Sequence, residues 1–81
     1  MNLYPNPARD NVTLDIFSPM KESIGITIED LQQKQVFEEN NIIASGRIIK
    51  TINFAYLPSG IYIVNIHRKV GTVSGKLVIC R

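Results

Sequence analysis

The side chains able to do chemistry in this chain are few and scattered. One histidine, His67, and one cysteine, Cys80, are all it has of either type. Zinc sites of the Cys/His kind need several such ligands, so they are excluded, and no internal disulfide can form. A nucleophilic Cys80 would need an organised base, with His67 the sole imidazole to serve. His67 stands beside Arg68 and Lys69 at a strand end and reads as a solvated residue, while the next-to-last Cys80 suits an intermolecular disulfide in vitro. Glu38 and Glu39 are neighbours on an expected strand, where successive side chains point to opposite faces, so they make a poor acid/base pair. Asp30, Asn40 and Asn41 offer oxygens to a calcium ion, but turn chemistry accounts for them more simply. Asn11-Val12-Thr13 fits the glycosylation sequon, a pattern short enough to arise by chance. Glycine-rich phosphate loops are absent, and aromatics do not interleave with basic residues as single-stranded nucleic acid would require. These residues imply no catalytic centre, no cofactor, no metal and no nucleic-acid partner.

Composition sets the frame in which such residues must be held. Eighty-one residues, 44% apolar and 20% charged, suit one folded domain with a modest core. No apolar run approaches the ~20 residues of a membrane-spanning helix. The opening Met1-Asn2-Leu3-Tyr4-Pro5 lacks the features of a secretory signal, which in a larger parent would lie at that parent's own N-terminus. Net charge is +2, and its distribution is uneven. Residues 1–41 hold all seven acids and three bases, net −4, while residues 42–81 hold six bases and no acid, net +6. Such asymmetry steers an acidic partner, or is simply a solvated surface.

Isoleucine and valine number 19 against 8 for leucine and alanine, favouring pleated strands over helices. Periodicity says the same. Val12, Leu14 and Ile16 alternate with polar residues, and so do Ile24, Ile26 and Ile28, with Ser18-Pro19 expected to stop the first strand. A turn at Asp30–Gln33 leads to a weaker strand centred on Val36, and Asn40-Asn41 with Ser45-Gly46 predict a loop. Further strands are expected over Ile48–Phe54, with Ile52 and Phe54 in the core, over Ile61–His67, and over Val73–Cys80 after a hairpin at Gly71. Six or seven short strands with breaks about every 8–12 residues predict an all-β fold, a small antiparallel β-sandwich. Tyr4-Pro5-Asn6-Pro7 cannot become helix, because each proline fixes its own φ and pushes the preceding residue toward extended geometry. Residues 1–7 therefore read as the end of a linker, with Tyr4 an anchor onto the single domain of residues 8–81.

Three segments together resemble the C-terminal sorting domain of the bacterial type IX (Por) secretion system, type A. They are Tyr4-Pro5-Asn6-Pro7, Leu57-Pro58-Ser59-Gly60-Ile61-Tyr62-Ile63-Val64, and Gly75-Lys76-Leu77-Val78-Ile79. The resemblance covers nearly the whole chain. It implies an Ig-like sandwich at the end of a larger cargo protein, taken from the periplasm across the outer membrane by the type IX translocon to the cell surface or medium. It also implies a surface sortase that removes the domain. Two positions depart from the family pattern: Gln33 stands where a turn glycine is usual, and Cys80 is atypical near the end. An Ig-like adhesive or ligand-binding module of a surface protein is the alternative reading.

Gly60 and Tyr62 have a structural explanation beside the resemblance, as the tight turn and the tyrosine of a tyrosine corner. Leu77 and Ile79 should face inward, with Lys76, Val78 and Cys80 outward. If the strands of Ile61–His67 and Val73–Cys80 pair, Ile61, Ile63 and Val78 form an exposed apolar strip near Lys76. That strip, which Cys80 extends, the basic Arg68-Lys69 turn and the closing residues through Arg81 are the expected recognition elements of the sorting signal. An uncovered strand edge would also let two copies pair as a homodimer.

Overall fold

The computed structural model describes all 81 residues and contains strands and turns but no helix. Five strands appear in order: β1 (Asn2–Tyr4), β2 (Asn11–Glu29), β3 (Gln35–Asn53), β4 (Gly60–Arg68) and β5 (Gly71–Ile79). All five join one hydrogen-bonded sheet in which every pairing of strands is antiparallel, in the order β1-β2-β4-β5, with β3 also paired to β2. The all-β expectation therefore holds, with a lower strand count.

The count falls because two predicted breaks are bends. Ser18-Pro19 does not stop the first strand; β2 runs through it. Between the pairs Ser18↔Gly46 and Glu22↔Ala44, β2 carries three residues against the single Ser45 of β3. Pro19 lacks an N–H and sits in this unpaired stretch, where no ladder bond is lost. Gly46 answers it on β3 with φ +72°. The predicted loop at Asn40-Asn41 and Ser45-Gly46 is likewise part of β3. There, Asn40 and Asn41 oppose the single Gly25 of β2, and Asn41 takes φ +60°.

Parity explains how a bent strand keeps its core. From Ser18 to Glu22 is four residues and from Gly46 to Ala44 two, both even, so each strand leaves the larger bulge with the same face inward. Val12, Leu14, Ile16, Ile24, Ile26 and Ile28 are all buried in one cluster with Ile52, Phe54, Tyr62, Val64, Ile66, Leu77 and Ile79. At the Asn40-Asn41 bulge β3 gains one residue, and its parity flips. Phe37 therefore pairs with Ile28 on the core side, and Val36 falls in the next irregularity rather than at a strand centre.

The curled sheet brings β1 over β5. A Cβ on Gly75 would lie 2.8 Å from Cε of Met1 and 3.2 Å from Cδ1 of Leu3, so this glycine leaves the space those two side chains fill. Leu3 pairs with buried Leu14, whereas its neighbour Tyr4 pairs with Thr13 on the opposite face and is 45% exposed. The anchor of the N-terminal segment is thus Leu3, not Tyr4, by the alternation of a strand.

The Asp30–Gln33 turn forms as expected. Asp30 Oδ1 accepts from the backbone N–H of Gln32 and Lys34 at 2.9 Å each. Gln33 itself adopts φ +67°, the left-handed geometry that a glycine would take more easily. Replacing Gln33→Gly should stabilise the fold by about 0.5–1 kcal/mol, since the left-handed penalty of a side chain outweighs the added freedom of the unfolded glycine. Urea unfolding of the two chains would read this as a higher midpoint at unchanged slope.

Candidate recognition surface

The three motif segments, far apart in sequence, converge on β5. Its inner edge pairs with β4 in an unbroken register from Gly60↔Ile79 to Arg68↔Gly71. Its outer edge is closed by the N-terminal segment. Pro5 and Pro7 have no N–H to offer, so the asparagine between them replaces the ladder with its side chain. Asn6 Nδ2 donates to the Lys76 carbonyl at 2.8 Å, and Asn6 Oδ1 accepts from the Val78 N–H at 2.9 Å. Fully buried Ala8 continues the pattern: its N–H donates to the Val78 carbonyl at 2.7 Å, and its carbonyl accepts from the Cys80 N–H at 2.8 Å. The sequence reading missed this role of Asn6; an amide flanked by two non-donors was the available signal.

The second segment forms the far wall. Leu57 is buried, and the Tyr62 hydroxyl donates to the Pro58 carbonyl at 2.7 Å while its ring is in the core. This is the expected tyrosine corner. Arg81 completes it from the other end of the chain. Its Nη2 donates to the Phe54 carbonyl at 2.8 Å, its Nη1 to the Leu57 carbonyl, and its Nε to Asp10 at 3.1 Å.

The structure sorts the expected recognition residues into two groups. Leu77 and Ile79 are core residues. Arg81 is turned onto the Phe54–Leu57 loop, and Arg68 donates to Glu22 at 2.7 Å. These four act inward. Ile61, Ile63, Lys76, Val78 and Lys69 present outward surface. Ile61 pairs with Val78 and Ile63 with Lys76, so these side chains lie on neighbouring rungs of the outer face of β4–β5, while exposed Cys80 lies beyond the last rung. Ile61 is 39% exposed, and Ile63 and Val78 are half-buried.

The uneven charge of the chain resolves into ion pairs that fold the two halves onto each other. All four salt bridges join an acid before residue 40 to a base after residue 46: Asp10–Arg81, Asp15–Arg47, Glu22–Arg68 and Glu39–Lys50. Glu39 and Lys50 pair opposite Ile26 and Leu14, on the core-facing side of the two halves of β3, and close the rim between them. In the second half only Lys69 and Lys76 are left without an acid. Hydrogen bonds from Arg68 and then from Ser18 hold the Glu22 carboxyl down to about 2, while the Arg47 guanidinium lowers Asp15.

Other polar residues meet between the strands. The His67 ring bridges strands, with Nε2 2.9 Å from Thr27 Oγ1 and Nδ1 3.2 Å from Thr72 Oγ1. An open groove of about 520 Å³ runs past it, lined by Thr27, Glu38 and Asn40 among others. No three His, Cys, Asp or Glu side chains gather as metal ligands.

Two substitutions probe this arrangement. Asn6→Ala removes both side-chain bonds to β5 and should cost about 1–2 kcal/mol in urea unfolding, with faster amide exchange at Val78. Glu22 has a folded pKa below its unfolded value, so its contribution is complete above about pH 4.5 and is lost as pH falls toward 2. Glu22→Gln should therefore flatten the loss of stability across that window, measured as the urea midpoint against pH.

The chain matches the family model described as the secretion system C-terminal sorting domain over residues 2–80. No curated protein matches it. The match spans all three segments that meet at β5. This chain belongs to that family, the C-terminal sorting signals of type IX secretion, which accompany a cargo on their N-terminal side and direct it to the cell surface or beyond.

Proposed function

We propose that the type IX machinery reads this domain through the outer face of β4–β5, with Ile61, Ile63 and Val78 as the apolar contact and Lys76 as the adjoining charge. What supports the reading is the sorting within the motifs. Once Leu77, Ile79 and Tyr62 are committed to the core and Arg81 to the Phe54–Leu57 loop, these are the motif side chains left on the outer face of β4 and β5. An apolar strip with one free cation suits a partner groove that is apolar with an acidic rim. Lys69, at the hairpin end of the same pair of strands, extends the positive edge. The domain travels with folded cargo through the periplasm to the translocon. Beyond the membrane a surface sortase cuts on the N-terminal side of the domain and leaves the clip of Asn6 and Ala8 intact. The outer edge of β3, whose only strand partner is β2, is the surface through which two copies would pair.

The test fuses residues 2–81 behind a periplasm-targeted fluorescent protein in a bacterium with the type IX system. Fluorescence should reach the surface or medium, and the double change Ile63→Ser/Val78→Ser should hold it in the periplasm while the purified domain still unfolds cooperatively. Full export of the folded double variant would rule the strip out; failure of the unaltered fusion would count against the sorting role.

A further inference from the structure

We propose that the end of the molecule formed by the β2 bulge and the β4–β5 hairpin turn is a contact site for an anionic lipid surface. Two loops meet there. Pro19, Met20 and Lys21 form the unpaired stretch of β2, and Lys69 and Val70 form the turn; a groove of about 190 Å³ runs between them. Met20 is 76% exposed and Val70 90%, the two highest values among the large apolar side chains. Phe17, 63% exposed, lies on the adjoining surface, joined to this groove through Arg68.

The polar groups beneath hold this apolar end in place. The Ser18 side chain is buried, with its hydroxyl 2.5 Å from the Met20 carbonyl and 2.6 Å from a Glu22 carboxylate oxygen, so its one proton is shared between two acceptors. The same carboxylate accepts from Arg68 at 2.7 Å and from the Lys69 N–H at 3.4 Å. The bulge and the turn are thereby tied through one acid. The network also satisfies backbone groups at the tip: the Met20 carbonyl has its hydroxyl, the Lys69 N–H its carboxylate, and Pro19 has no N–H to satisfy. Backbone that is already bonded or lacks a donor loses least on leaving water for a lipid interface.

Charge selects the kind of lipid. Glu22 and Arg68 neutralise each other, while Lys21 and Lys69 on either side of the groove have no acid partner. Long lysine stems let such amines reach headgroups while neighbouring apolar side chains enter the interface. Apolar points that protrude, rather than line a deep cleft, suit a deformable surface. Their area is far below the ~800 Å² per partner of a stable protein interface. This contact does not depend on how the β4–β5 strip is read.

The test is flotation of the 81-residue chain with vesicles of phosphatidylcholine alone or mixed with phosphatidylglycerol. Binding to the mixed vesicles should exceed binding to the neutral ones by about thirtyfold and weaken with salt. Lys21→Gln/Lys69→Gln should remove that preference. Met20→Ser/Val70→Ser should lower binding to the mixed vesicles by about tenfold, whereas Leu31→Ser, an exposed apolar change in another turn, should leave it unaltered. Each change is on the surface, and a cooperative thermal transition confirms that the variants fold. A Met20→Trp chain should show blue-shifted emission only with the mixed vesicles. Equal binding to both vesicle types, or a preference that survives the lysine changes, overturns the proposal. So does self-association lost in Met20→Ser/Val70→Ser without vesicle binding, which would assign the tip to a second copy.

Discussion

The largest irregularity in the sheet lies between Ser18 and Glu22, and the shared core depends on how β2 and β3 pass it. A 19-residue strand that ran flat would present Val12 and Ile28 to opposite ends of an open surface, with nothing to cover either. Three unpaired residues against one let β2 and β3 fold together, and the even count keeps both halves facing the same interior. A bulge of odd length would have sent Ile24, Ile26 and Ile28 to solvent. The buried Ser18 is the polar centre of the bend, and the Glu22–Arg68 pair ties it to the β4–β5 hairpin. One local irregularity thereby couples core formation to the placement of the strands that carry the motif.

The closing strand is held from both sides. Hydrogen bonds to β4 come from the ladder, while those on the other side come from a segment more than sixty residues earlier whose prolines forbid a normal strand. For a sorting signal this arrangement has a physical merit. An open edge at the last strand would invite pairing with other chains, and the Asn6–Ala8 clip covers it from Lys76 to Cys80. Arg81 adds a second tie by reaching back to the carbonyls before the tyrosine corner. The motif residues thus divide between those that hold the fold together and those left on its surface.

Much of this was readable in advance. Alternation placed Val12, Leu14, Ile16, Ile24, Ile26, Ile28, Ile52, Leu77 and Ile79 inward, because a strand has a period of two and one face must leave water. Gly71 marked the hairpin, and the spacing of Gly60 and Tyr62 marked the corner. The inner and outer sets on β4–β5 were also legible, since they need only the same alternation. What misled was punctuation. Pro19, Asn41 and Gly46 signal a break in any local reading, and a bulge uses the same residues for the same backbone reasons. The neighbouring strand decides whether pairing resumes beyond them.

The sequence by itself determined the strand character, the core face, the turns at Asp30 and Gly71, and the family to which the motifs belong. These depend on neighbours two to five residues apart, over which side-chain period and backbone preference act directly. Tertiary structure alone decided that two halves of opposite charge would spend their acids and bases on each other, leaving Lys69 and Lys76 free. It alone decided that Asn6 would serve as a piece of strand for β5, that Leu3 and not Tyr4 would anchor β1, and that Arg68 and Arg81 would turn inward. Most of those outcomes rest on partners more than thirty residues away.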